Sequence, residues 1–235
     1  MGHRACAGRG AGRRCCAGRG ADRQWRCVLF WPRPGWWRGQ LRGHRAVGPG
    51  ADPRREGLGR SFLSALRFDT DKPVVAGING VAVGAGLSLA MAADIRIAAD
   101  TARLHPGYLR AGTSPDGGLT WSLPTLVGHE AALRFLLESR FVGADEALDR
   151  RLVSEVVPAD RLEARLLEFC AAVAAQAPLA VRRTKRLVAR ALLVTDIDAR
   201  MTDEIRDALA GLRSQDGQEA VKAIIEKRAP HFRGR

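Results

Sequence analysis

The first 60 residues of this chain contain no serine, no threonine and no lysine. Nothing at the N-terminus resembles the apolar centre of a secretory signal, and no run approaches the roughly 20 apolar residues of a membrane-spanning helix. An arginine-rich, acid-poor start shares its charge with a mitochondrial transit peptide. Transit peptides are also serine-rich and amphipathic, and the first serine here is Ser61. Cysteine is equally uninformative. Four of the five, Cys6, Cys15, Cys16 and Cys27, lie in this segment without a paired C-x-x-C spacing or a companion histidine ladder. That excludes a zinc site, and without a secretory signal there is no case for a disulfide framework. The expected location is cytoplasmic, with no membrane partner and no metal.

What the segment does have is arginine and glycine. Residues 1–60 hold 14 Arg against Asp22, Asp52 and Glu56, a net of +11, with 13 of the 26 glycines and four of the five tryptophans. Residues 61–235 carry 24 basic and 22 acidic residues, a net of +2. The formal charge of +13 for the whole chain is therefore local. One reading of the segment is an RG-type nucleic-acid-binding tail. The remainder reads as a near-neutral domain long enough for a sizeable core and with no nucleic-acid partner.

The most informative stretch is Lys72–Asp94, KPVVAGINGVAVGAGLSLAMAAD. Val74, Val75 and Ile78 form a short apolar run between Pro73 and the turn pair Asn79-Gly80, as a core strand should. Gly84-Ala85-Gly86 then opens a helix through Leu87, Leu89 and Met91. Small residues at a helix start leave backbone N–H groups exposed at the positive end of the helix dipole, a site that stabilises an oxyanion without a side chain. A tight strand–helix turn with no ligand is the plainer reading. Further on, the pattern predicts a strand over Asp94–Ala98, an extended piece over Ala102–His105, a loop over Gly112–Gly118 and a last strand over Val153–Val157. Helices are predicted near Gly117–Leu126, His129–Ser139, Ala144–Arg150, 162–174, Pro178–Leu193, Asp198–Leu212 and Gln215–Arg228.

This stretch, followed by ADIRIAADTARLHPGYLRAGTSPDGGLTWSLPTLVG, GHEAALRFLLES, ADEALDRRLVSEVVP and the closing APLAVRRTKRLVARAL and EAVKAIIEKRAPHFRGR, resembles the enoyl-CoA hydratase/isomerase (crotonase) superfamily. The resemblance runs over Lys72–Arg235. It implies an α/β fold, a superhelix of ββα repeats with a helical C-terminal trimerisation region, and hence a homotrimer or hexamer. It also implies an acyl-CoA thioester as substrate, with no cofactor beyond the coenzyme A of that substrate.

Carried over by position, Ala85 is the centre of the family's glycine turn. Between Gly84 and Gly86, its N–H would be one of two donors to the thioester oxygen. The family's hydratases use two glutamates to position and deprotonate water; the corresponding residues here are Ser88 and Tyr108, which argues against ordinary hydration. Asp116, in G-T-S-P-D-G-G, stands where epoxyphenylacetyl-CoA isomerase-like and dienoyl-CoA isomerase-like relatives place a working aspartate, and the surrounding text is nearest to the former branch. Asp116 is thus the candidate base; its alternative role is the N-cap of the following helix. His105 is a second candidate base or a structural histidine. Tyr108, Leu119 and Trp121 are expected to line the acyl pocket or to belong to the core. Lys185 and Lys227 are candidates for the coenzyme A end, or ordinary charges of a solvated helix face.

The resemblance also bears on residues 1–60. Tryptophan has one codon, TGG, so a Trp followed by a codon beginning with C or T spells glycine one nucleotide further on. Trp25, Trp31, Trp36 and Trp37 all meet this condition with the usual arginine codons. From Ala21, one permitted shifted reading is L-T-G-N-G-G-A-F-C-S-G-R-D-L-G-G-G, which resembles the family's first oxyanion-hole segment. The expectation is one inserted or deleted base between about Arg38 and Ser61. Residues 1–60 are then out-of-frame or disordered text, and residues 61–235 form an N-terminally incomplete crotonase-like domain. As written, the chain would lack the first donor and leave a sheet edge exposed, giving poor solubility. An inactive family member is the competing functional reading.

Overall fold

The computed structural model describes the backbone of residues 28–30 and residues 63–235. The remaining expectations for residues 1–60 lie outside the described residues. After a single π-helical turn at Ser64–Asp69, the chain alternates strands and helices. Strands β1 (Val28–Phe30), β2 (Val74–Ile78), β4 (Ile95–Ala99) and β7 (Glu155–Val157) form one parallel sheet in that order. A second sheet holds β3 (Val81–Val83), β5 (Arg103–His105) and β6 (Val142–Gly143), with β6 antiparallel to β5. Consecutive strands thus alternate between sheets: β2 and β4 go to the first, β3 and β5 to the second. A helix follows each pair, α1 (Ala85–Ala92) after β3 and α2 (Leu119–Val127) after β5. This is the ββα repeat that the resemblance implies.

Three local expectations need correction. The outer edge of β2 is not bare, because Val28 pairs with Val74, Leu29 with Val75 and Phe30 with Ala76. Val-Leu-Phe is a branched and aromatic run suited to a strand. Strands β3 and β6 are absent from the sequence reading: three and two residues are too short to show a period. Helix α2 begins at Leu119, two residues late, because Gly117 and Gly118 adopt φ of 64° and 88°, outside the helical region.

Every residue of β2 is buried, as are all residues of α1 from Leu87 onward. Leu87, Met91, Leu104, Leu119, Leu123 and Phe135 belong to the main core. Each such side chain contributes about 1.5–3 kcal/mol by leaving water. Helices α3 (His129–Glu138) and α4 (Ala144–Asp149) close that core. Helix α5 (Leu162–Ala174) packs Leu162, Leu166 and Cys170 on the other side of the first sheet, against Val75 and Ile97. Helices α6 (Pro178–Ala191), α7 (Ile197–Leu212) and α8 (Gln215–Ile225) finish the chain. No single helix among the described residues is long and apolar enough to cross a membrane.

Candidate active site

The site is built on the first turn of α1. Gly84 precedes it at φ 56°, ψ −123°, a conformation that only glycine adopts readily. The Gly84 N–H is consumed by His105 O at 3.2 Å and Pro106 O at 3.0 Å, which ties the turn to the end of β5. The first intrahelical bond runs from Ser88 N to Gly84 O at 2.9 Å. The N–H groups of Ala85, Gly86 and Leu87 therefore precede the helical ladder and have no carbonyl of their own helix to bond. A Cβ placed on Gly86 would meet nothing within 4 Å, so the space beside this turn is open. Ala85 and Gly86 thus offer N–H groups at the positive end of a helix, as the resemblance requires of one half of an oxyanion hole, whereas Gly84, expected beside them, has its N–H already bonded and shapes the turn instead. The other half falls in the N-terminal segment outside the described residues.

The opposite end of α1 is tied down by buried cations. Arg67 donates to Met91 O (3.4 Å) and Ala93 O (2.9 Å), and Arg96 donates to Ala93 O (2.7 Å) and Leu152 O (2.9 Å). Burial, reinforced by the neighbouring Arg67, pulls the Arg96 guanidinium down to about 10, with Asp94 opposing. Cations at a helix C-terminus favour the dipole that faces the open end at Ala85.

Asp116 is exposed, in the loop before α2. Its side chain does not cap that helix: the N-cap is Gly118, and no side chain caps it. Instead the Tyr108 hydroxyl donates to Asp116 Oδ1 at 2.6 Å, and Tyr108 lies 2.6 Å from Ser88 Oγ. Ser88 and Tyr108 are both buried. Burial first, and the bond to Asp116 second, push the Tyr108 hydroxyl well above the ordinary phenol range, so it remains protonated and donates. Since Ser88 stands three residues beyond Ala85 on α1, the three side chains run from the oxyanion turn to the loop carboxylate.

The other candidates separate. Leu119 is fully buried in the core between α1 and α2, so it offers no lining surface; Tyr108 packs in the same cluster with its hydroxyl as the polar end. Trp121 is half-buried and stands edge-on to Phe68 at 5.7 Å, with the Arg67 guanidinium over its ring at 5.6 Å. His105 is buried with Nδ1 unpartnered among the described residues, its ring 4.7 Å from that of Phe141. Lys185 is not available to coenzyme A. Its ammonium is buried and donates to Leu66 O (2.7 Å), Lys72 O (2.7 Å) and Asp94 Oδ2 (2.8 Å), which uses all three N–H donors. Lys227 is exposed just beyond α8 at φ 53°. Among the described residues no three His, Cys, Asp or Glu side chains converge as metal ligands would.

Comparison with known proteins identifies the family and the fold. The family model described as enoyl-CoA hydratase/isomerase matches residues 58–235. A probable enoyl-CoA hydratase of Rhodobacter capsulatus is 39% identical over 174 residues, covering 74% of this chain and 67% of the relative. The crotonyl-CoA hydratase of Syntrophomonas wolfei is 36% identical over 162 residues, covering 69% of this chain and 62% of the relative. The solved structure of DspI from Pseudomonas aeruginosa superposes with a TM-score of 0.71 at 35% identity, covering 79% of this chain and 71% of that one. The chain thus spans about two thirds of the length of these curated relatives, and over that span it has the crotonase fold. By sequence, fold and the turn at Ala85, the chain belongs to the enoyl-CoA hydratase/isomerase family.

Proposed function

We propose that this chain takes an acyl-CoA thioester and moves a proton at the carbon alpha to it, acting as an isomerase-like member of its family and not as a two-carboxylate hydratase. The carrying observation is the Ser88–Tyr108–Asp116 chain: one carboxylate, with hydroxyls at the two positions where the resemblance puts glutamates. The thioester oxygen binds at the Ala85 N–H. Asp116 takes the alpha proton, and the C–H electron pair passes onto the thioester oxygen as an enolate. The resulting carboxylic acid then returns the proton to the alpha or the gamma carbon. A first oxyanion donor, where present, adds about 2–4 kcal/mol of transition-state stabilisation.

The test sets two reactions side by side. Conversion of 3-butenoyl-CoA to the 2-enoyl thioester is expected to exceed hydration of crotonyl-CoA by about 100-fold, the scale of a missing general acid–base group. Faster hydration would overturn the isomerase-like assignment. Exposed apolar residues on α7 support assembly with further copies as a trimer or hexamer.

An inactive family member is the second reading, favoured by the start of the family match at residue 58, beyond the segment where the first donor belongs. We attribute this to a shifted reading frame across residues 1–60. A fresh DNA read across the codons for Arg19–Asp71 decides it. A one-base change that restores G-G-A-F-C-S-G-R-D-L supports an intact enzyme; a confirmed frame supports the inactive reading.

A further inference from the structure

We infer that Tyr108 and Ser88 are positioning residues, a two-hydroxyl relay from α1 that holds Asp116 by Oδ1 and leaves Oδ2 as the oxygen that moves the proton. The inference rests on Asp116 being the proton-handling group.

Among the described residues, nothing else holds this carboxylate. Asp116 is exposed in a loop, two glycines in the left-handed region follow it, and its side chain caps no helix. Its one side-chain hydrogen bond among the described residues comes from Tyr108. An ionised carboxylate only accepts, so the phenol proton points to Oδ1, and the phenol oxygen is left to accept from Ser88 Oγ. The donor order is therefore Ser88 to Tyr108 to Asp116. Ser88 is fully buried on a helix that is itself buried, and its bond fixes the phenol oxygen in place. Ala85 and Ser88 lie three apart on α1, on one face of the helix. The same rigid element thus presents the N–H for the thioester oxygen and, through two hydroxyls, sets where the carboxylate stands. Had Tyr108 needed only a partner for a buried hydroxyl, Ser88 alone would have sufficed. The second bond, to an exposed loop carboxylate, is what a positional role requires.

The test measures deuterium uptake at the alpha carbon of 3-butenoyl-CoA in deuterium oxide by the full chain and its Asp116→Asn, Tyr108→Phe, Ser88→Ala and Ser88→Ala/Tyr108→Phe variants. Tyr108→Phe is expected to lower kcat by about 10- to 100-fold with KM within about twofold, as a displaced reacting group does. Ser88→Ala is expected to lower it by about 2- to 10-fold, and the double variant to match Tyr108→Phe, because the two act in series. Unchanged kcat in Tyr108→Phe, with exchange abolished in Asp116→Asn, would overturn the relay and leave Asp116 in its role. Undiminished exchange in Asp116→Asn would overturn both. If Tyr108→Phe fails to fold, Ser88→Ala decides: a kcat loss at constant KM supports the relay, and unchanged kcat removes it.

Discussion

Helices α1 and α7 are built on opposite plans. Helix α1 is apolar on every side, with all residues from Leu87 to Ala92 buried, and its one polar side chain, Ser88, bonds to Tyr108. Helix α7 buries nothing, yet it carries Ile197, Met201, Ile205, Leu209 and Leu212 at spacings of four, four, four and three, each about half exposed or more. The first helix is held by its own chain and so can carry a site that tolerates little displacement. The second touches α6 and α8 but keeps an apolar face exposed among the described residues, the kind of face that the assembly proposed above would cover.

Four measurements probe this difference between α1 and the C-terminal helices. The largest effect is expected from Asp116→Asn, which should lower alpha-proton exchange by about 100- to 10,000-fold with an unchanged melting curve, since the side chain is exposed. Next, Met91→Ala should cost about 2–5 kcal/mol in denaturant unfolding, through lost burial and the cavity left behind. The same truncation at Ile205 should cost under about 0.5 kcal/mol in the separated subunit. Ile205→Asp should instead shift sedimentation towards the single chain. Third, Lys185→Met should destabilise by about 2–3 kcal/mol, by stripping donors from Leu66 O, Lys72 O and Asp94, while KM for the acyl-CoA stays constant.

The smallest effect concerns the C-terminus. Arg228, and then the His231 N–H, pull Glu219 down to about 2 from an ordinary 4.5. The folded state thus favours the ionised form, and this anchor is fully present above about pH 4.5. It is lost as pH falls from there to about 2. Loss of amide-exchange protection at His231, relative to the intrinsic rate at each pH across that window and with α1 unaffected, is the expected readout.

Much of the site was legible because glycine and proline punctuate it. The run ending at Asn79-Gly80, the Gly84-Ala85-Gly86 turn and the loop carrying Asp116 are all marked by residues with special backbone freedom. The relay was not legible as a unit. Ser88 and Tyr108 are 20 residues apart, Asp116 is eight further on, and the intervening strands and turns follow no single period. Read alone, the hydroxyls at 88 and 108 register only as missing carboxylates. Lys185 misleads for a different reason: a basic residue on a late amphipathic helix looks solvated. Only the fold shows two carbonyls and Asp94 converging on its ammonium. Residues 74–78 could be assigned from an apolar run, whereas β3 and β6 are held by their pairing with β5 and by nothing local.

The most direct test of the account is deuterium uptake at the alpha carbon of 3-butenoyl-CoA by the chain with its reading frame restored and by its Asp116→Asn variant under identical conditions. Uptake by the first and its near-complete loss in the second is the predicted result. Equal uptake by both would contradict the assignment of the proton to Asp116, and with it the reading of this site as a one-carboxylate isomerase centre.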